Sequence, residues 1–74
     1  MDLDETLRVL GRTIARKREE RGLTQEKLAA RLTDKDERNY ARIEQGKRNL
    51  ELATLFEIAA ALGVPIGELF EDLR

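Results

Sequence analysis

Short runs of apolar residues at helical spacing, several of them closed by a glycine, constrain this 74-residue chain more than any other feature. Gly22, Gly46 and Gly63 each follow such a run, at the position where a residue in the left-handed conformation commonly ends a helix. Leu, Ala, Glu, Arg and Lys dominate the chain, which has one Pro and only three aromatic residues, so strands are disfavoured. The sequence therefore predicts an all-α fold.

The apolar runs predict five helices in one compact domain over residues 1–74. These helices cover residues 3–21, 25–32, 37–45, 52–62 and 66–73. Because they are short and differently patterned, we expect them to cross around one core, and not to form a coiled coil or an up-down bundle. The fourth helix is the most apolar, and its predicted core stripe consists of Leu52, Leu55, Phe56, Ala59 and Leu62.

The chain contains no cysteine and no histidine. These residues supply most structural zinc ligands and many catalytic nucleophiles and bases, so we expect no metal, no cofactor and no enzymatic activity. The acidic N-terminal segment does not resemble a signal peptide, and no run approaches the roughly 18 apolar residues of a membrane span. We therefore expect a cytoplasmic protein with no membrane partner, and no motif indicates a small-molecule ligand.

The second and third helices, over about residues 24–45, form a pattern typical of a helix-turn-helix unit. The third helix holds Tyr40 on its apolar side, where we expect a core position with the hydroxyl at the surface. Its polar side consists of Glu37, Arg38, Asn39 and Arg42. Such a helix fits a major groove about 12 Å wide, where Arg binds guanine, Asn binds adenine and Glu accepts from cytosine. The pattern favours reading of double-stranded DNA.

Three strings stand in an order and spacing that together are specific. They are Leu23–Ala29 (LTQEKLA), Arg42–Asn49 (RIEQGKRN), and Ala60–Val64 followed by Glu68–Phe70. The chain resembles, over roughly residues 10–73, the phage repressor and Cro-like (lambda repressor-like, XRE-type) helix-turn-helix family. The resemblance implies a compact five-helix DNA-binding domain. Among small members of this class, the segment 48–52, with Leu50 where many members have Pro, slightly favours controller proteins of restriction-modification operons.

The family resemblance also implies roles for individual residues. It implies base reading by Glu37, Arg38, Asn39 and Arg42. It implies contacts to the DNA backbone by Gln25, Lys47, Arg48 and Asn49, and Gln25 is expected to support the third helix as well. It further implies that Arg18 and Glu44 form a structural ion pair between the first and third helices. Lys17 and Lys35 are two further candidates for phosphate contacts, although the segment around Lys17 also fits a solvated helix face.

The turn before the third helix departs from the family pattern. Its sequence, Leu32 to Asp36, has no glycine and is one residue longer than usual. Either Asp36 caps the helix, or Asp34 caps it with Glu37 in a capping box, which would move Lys35 into the first turn. The carboxylates of Asp34, Asp36 and Glu37 lie where DNA phosphates are expected to pass. Either these carboxylates are occupied by capping and by a neighbouring Arg, or Glu37 reads a cytosine, or DNA binding is weaker than usual.

The last helix carries an apolar stripe that either closes the core or forms a homodimer interface. The stripe consists of Ile66, Leu69, Phe70 and Leu73. A chain of this size without a separate oligomerisation domain is expected to dimerise through the fourth and fifth helices, over about residues 51–73, on a pseudo-palindromic operator. The alternative function is a protein-interaction module, such as an antitoxin or an anti-repressor, built on the same fold.

The net charge of −1 does not exclude a DNA partner. Residues 22–50 carry seven basic and five acidic side chains, whereas residues 51–74 carry one and five. The predicted DNA-binding part is therefore basic, and the acidic excess lies in the part assigned to dimerisation and solvent. We expect such a dipolar molecule to have weaker non-specific attraction to DNA than a uniformly basic protein.

Overall fold

The computed structural model describes residues 1–73, which form four α-helices and one 3₁₀ helix and contain no strand. The elements are α1 (Leu3–Glu20), α2 (Gln25–Ala29), α3 (Glu37–Glu44), α4 (Leu52–Leu62) and the 3₁₀ helix (Ile66–Phe70). The all-α prediction is confirmed. Within the described chain, none of the helices combines the length and the hydrophobicity needed to cross a membrane.

The helix ends follow the local signals in the sequence. Asp2 and Thr24 cap α1 and α2, their side chains accepting from Glu5 N–H at 2.8 Å and Lys27 N–H at 3.1 Å. The glycines that follow α1, α3 and α4 have φ values of 67°, 73° and 72°. A left-handed residue there costs glycine little, because it has no Cβ, and it lets the chain turn away from each helix.

Two predicted helices are shorter or tighter than expected. The second helix leaves α geometry after Ala29, where Arg31 N–H donates to the carbonyl of Leu28 and Leu32 N–H to that of Ala29, three residues back. Lys35 Nζ then donates to the carbonyl of Leu32 at 3.0 Å, and so satisfies an acceptor at the end of this turn. The fifth helix is a 3₁₀ helix that begins after Pro65.

The core lies where α1, α2, α3, α4 and the 3₁₀ helix meet. Its most deeply buried side chains are Ile14, Leu28, Tyr40, Ile58 and Leu69. The burial of Leu69 corrects the predicted dimer interface, because a side chain with no exposed surface is not available to a partner chain. The half-buried Ile66 and Phe70 also pack against this core, and Leu73 is half-buried. Leu69 therefore closes the core, whereas the other three residues of the stripe keep part of their surface exposed.

Ion pairs hold the end of the chain against α1. Arg16 donates to Asp72 at 2.9 Å and to Glu71 at 2.7 Å. Lys17 Nζ lies 2.7 Å from Glu71 Oε1 and 3.3 Å from Glu68 Oε1, and only 8% of its side chain is exposed. These contacts argue against the predicted phosphate contact of Lys17, because a buried, neutralised ammonium does not reach a DNA backbone.

Candidate nucleic-acid interface

The turn before α3 settles which residues begin that helix. Asp36 Oδ1 accepts from Arg38 N–H at 2.8 Å and from Asn39 N–H at 3.3 Å, so Asp36 is the N-cap. Asp34 Oδ1 instead accepts from Asp36 N–H at 3.0 Å, within the turn. The first of the two predicted registers is therefore observed, and Glu37 is the first residue of α3.

The solvent-facing side of α3 carries the predicted base-reading residues. Glu37, Arg38 and Arg42 are exposed, and Asn39 is half-buried. The opposite side of the helix buries Tyr40 and Ile43 in the core, which holds α3 in place. Arg38 and Arg42 line an open groove of about 450 Å³ along the outer side of the helix. The helix is thus fixed on one side and presents cationic and amide donors on the other.

A buried polar cluster lies behind α3 and ties it to α1 and α2. Arg18 Nε donates to Glu44 Oε2 at 2.7 Å and Arg18 Nη2 donates to Glu44 Oε1 at 3.2 Å. Gln25 Nε2 donates to the same carboxylate at 2.9 Å, and the Tyr40 hydroxyl donates to it as well. The structure places the predicted pair in contact, and it moves the Tyr40 hydroxyl from the expected surface position into this cluster.

Charge and hydrogen bonding in the cluster keep Glu44 ionised. Burial by itself raises the pKa of Glu44, but the hydrogen bonds from Arg18, Tyr40 and Gln25 outweigh it and hold the pKa below its ordinary value. Burial raises the pKa of Tyr40, whose hydroxyl therefore stays a donor. All buried polar side-chain atoms in the described chain have hydrogen-bond partners. The cluster is therefore a structural support for α3.

The loop after α3 continues the basic surface. Lys47 N–H donates to the carbonyl of Arg42 at 2.9 Å, a bond that closes the helix around Gly46. The side chains of Lys47 and Asn49 are exposed, while Arg48 is half-buried. Lys35 is also exposed, but its ammonium donates to the carbonyls of Ala30 and Leu32, which hold the side chain against the turn.

A small cavity lies between the turn and α4. It has a volume of about 190 Å³ and is lined by Leu32, Thr33, Asp34, Tyr40, Ile43, Arg48, Thr54 and Glu57. Pockets that hold small organic ligands are commonly about 300 to 1,000 Å³. The cavity is smaller than a typical small-molecule site.

One side of α4 forms an exposed apolar face that the spacing of apolar residues does not predict. Leu52 and Phe56, two residues of the predicted core stripe, are 61% and 55% exposed. They lie one turn apart, and the exposed Ala53 and Ala60 extend the same face. The available signal was that α4 is apolar on nearly all sides, whereas a helix on the surface of a small domain needs only one apolar stripe.

The sequence profile of the family described as Helix-turn-helix matches residues 14–69 of the chain. The control protein C.MunI of Mycoplasma sp is 44% identical over 58 residues, which are 78% of this chain and 77% of that protein. An uncharacterized HTH-type transcriptional regulator, y4dJ of Sinorhizobium fredii, is 42% identical over 62 residues, or 84% of this chain and 79% of its own length. Both relatives are matched over most of their length.

Two solved structures have the same fold as this chain. The restriction-modification controller protein C.AhdI from Aeromonas hydrophila superposes with a TM-score of 0.83 at 31% identity, covering 95% of this chain and 100% of its own. An HTH_3 family transcriptional regulator from Vibrio cholerae superposes with a TM-score of 0.84 at 24% identity, covering 97% of this chain and 40% of its own. The second similarity concerns the fold alone.

Proposed function

The chain belongs to the Helix-turn-helix family of DNA-binding transcription regulators, and on this premise we propose that it binds one operator sequence specifically, as a homodimer. In this proposal it acts as a repressor or controller that occupies a pseudo-palindromic site according to its own concentration. The observation that carries the proposal is the exposure of Arg38 and Arg42 on a helix whose other side is fixed in the core. The similarity to the control protein C.MunI and to the restriction-modification controller protein C.AhdI supports the controller role.

We place α3 in the major groove, with its first turn facing the base edges. Arg38 and Arg42 carry the bidentate donors that suit guanine, and Asn39 carries the amide that suits adenine. Glu37, exposed at the first position, has the acceptor that suits the amino group of cytosine. The loop after α3 binds phosphates through Lys47, Arg48 and Asn49. The side-chain amide of Gln25, at the start of α2, binds a phosphate as well.

Sequence-specific binding has a direct test. A duplex from the region upstream of the protein's own coding sequence should bind at least about 1,000-fold more tightly than a random duplex of equal length at moderate salt. Selection from a randomised duplex library should return a pseudo-palindrome whose half-sites are spaced by one helical turn. Equal affinity for both duplexes would reject the proposal in favour of a protein-interaction module.

Arg38→Ala and Lys47→Ala should have different effects, because one side chain faces bases and the other phosphates. Arg38→Ala is expected to relax discrimination at one base position, at a cost of about 1 to 3 kcal/mol. Lys47→Ala should weaken all duplexes alike and make the salt dependence shallower by about one counterion. Titrations of single-base operator variants at several salt concentrations separate the two roles, and the same pattern for both proteins would contradict them.

For the homodimer we propose the exposed face of α4, and no longer the stripe of the last helix. This face consists of Leu52, Ala53, Phe56 and Ala60, and it carries no charge. A two-fold axis brings identical patches together, so an interface must be complementary to itself, and an uncharged apolar patch meets that condition. The two alanines let the backbones of the paired helices approach closely.

Phe56→Glu should convert the dimer to a monomer and weaken operator binding by at least about tenfold, because it places two carboxylates within the apolar interface. The monomer should stay folded, since more than half of Phe56 is exposed in the single chain. Leu3→Glu is the matched control, because Leu3 is exposed to a similar degree, 61%, at the start of α1. Sedimentation equilibrium decides: a monomeric wild type at high concentration would remove the interface.

A further inference from the structure

Asp34, in the turn before α3, contacts two of the residues that the proposed function assigns to DNA. Asp34 Oδ2 accepts from Asn39 Nδ2 at 3.1 Å and lies 4.0 Å from Arg48 Nη1. Its other oxygen, Oδ1, accepts from the backbone N–H of Asp36. One carboxylate on the proposed DNA-binding side therefore hydrogen-bonds to the turn and to a base-reading amide, and it lies at ion-pair distance from a guanidinium proposed to bind the DNA backbone.

The contact to Asn39 fixes the orientation of its amide. An Asn that binds adenine donates from Nδ2 to N7 and accepts at Oδ1 from N6. The Nδ2 of Asn39 already donates one hydrogen to Asp34, so the amide is held with its nitrogen toward the turn and only one Nδ2 hydrogen remains. A fixed amide presents one arrangement of donor and acceptor to a base edge, whereas a freely rotating amide would present several.

The negative charge of Asp34 partly offsets the charge of Arg48, a cation of the loop after α3. The carboxylate of Asp34 stands near the guanidinium in the way that a DNA phosphate would, and 55% of its side chain is exposed. Any duplex that binds through Arg48 must therefore compete with Asp34 and must also bring its own phosphates close to that negative charge. This cost is the same for every sequence, because phosphates carry no sequence information.

From these contacts we propose that Asp34 is a specificity-determining positioning residue. Its charge beside Arg48 weakens binding to every duplex alike, whereas the fixed orientation of Asn39 strengthens binding to the operator alone. The two effects partly cancel on the operator, so Asp34 raises the ratio of operator affinity to random affinity. This inference rests on the proposed function, since it concerns how the same surface distinguishes sequences. Asp34 thereby has a role other than capping, because Asp36 alone caps α3.

Asp34→Asn tests the proposal because asparagine keeps an acceptor for Asp36 N–H and removes the charge. Random-duplex affinity should rise about fivefold, on the scale of a weak surface ion pair, and its salt dependence should steepen by about one counterion as Arg48 is released. Operator affinity should change by less, so the ratio of operator to random affinity falls. Discrimination at the base position read by Asn39 should also weaken.

Glu68→Gln is the matched control. It changes the net charge by the same amount, but it lies on the 3₁₀ helix, which packs on α1 and α4. This variant should leave the affinity ratio unchanged. In an Arg48→Ala background, Asp34→Asn should no longer steepen the salt dependence, a coupling that a purely structural role of Asp34 would not produce. Asp34→Ser, which also keeps an acceptor for the turn, should reproduce the result if Asp34→Asn folds poorly.

The outcomes separate this proposal from the function on which it rests. If the wild type prefers its operator but Asp34→Asn and Glu68→Gln behave alike, the role of Asp34 is wrong and the proposed function stands. If the effect of Asp34→Asn persists in the Arg48→Ala background, the competition for Arg48 is wrong. If the wild type does not distinguish operator from random duplex, the proposed function itself fails.

Discussion

Gly11→Ala is expected to destabilise the protein by about 3 kcal/mol or more, a large part of the total for a domain of this size. Gly11 lies where α1 crosses the end of α3. A Cβ at this position would stand 2.6 Å from the carbonyl oxygen of Ile43 and would also overlap that of Glu44. Both obstacles are backbone atoms, so no side chain can rotate to make room. Urea denaturation followed by circular dichroism measures the loss.

Two other glycines provide graded controls for this experiment. Gly22 has a φ of +67°, but an added Cβ would meet no atom within 4 Å, so Gly22→Ala should cost only the backbone strain of about 1 kcal/mol. Gly67 has neither a positive φ nor a close neighbour, and Gly67→Ala should stay within about 0.5 kcal/mol of the wild type. Equal losses at all three positions would show that helix crossing at Gly11 is not the cause.

Glu44→Gln is expected to cost about 3 kcal/mol or more, because it leaves the Arg18 guanidinium buried without its partner carboxylate. The side chains of Arg18 and Glu44 are only 11% and 7% exposed, so water cannot replace the lost ion pair. Glu19→Gln is the matched control, since Glu19 lies 3.9 Å from the same guanidinium but is 70% exposed. The control should change stability by less than about 0.5 kcal/mol. Similar losses for the two variants would contradict the assignment of Glu44 as the buried partner.

Acidification should weaken the same ion pair between Arg18 and Glu44. The pKa of Glu44 is lower in the folded chain than its ordinary value of 4.5, so the unfolded chain binds the proton more readily. The stability contributed by Glu44 is therefore complete above the ordinary pKa and is lost as the pH falls through the lower folded value. Hydrogen bonds from Lys17 and Arg16 likewise lower the pKa values of Glu71 and Asp72. As the pH falls from the ordinary pKa of Glu44 through its folded value, the free energy of unfolding should decrease more for the wild type than for Glu44→Gln. Urea denaturation at several pH values measures the difference.

Local signals were enough to predict most of the fold. Capping side chains such as Thr24 and glycines such as Gly46 act within a few residues, so they can be read from neighbouring positions alone. The spacing of apolar residues likewise predicted α3 and α4 with nearly their observed bounds. The resemblance to a known family supplied the rest of the site, including the pair between Arg18 and Glu44. These features depend on residues near one another in the chain or on a motif of known spacing.

Long-range packing decided what the sequence left open. Periodicity shows that Leu69 and Phe56 lie on apolar faces, but only the arrangement of all helices shows that Leu69 fills the core while Phe56 stays exposed. The local sequence gives Lys17 the pattern of a surface cation, but in the folded chain Glu68 and Glu71 lie beside its ammonium. Local pattern thus determined the helices and the polar side of α3, because helix formation is a local interaction. Tertiary structure determined which charged and which apolar side chains stay exposed, because burial depends on residues far apart in the sequence.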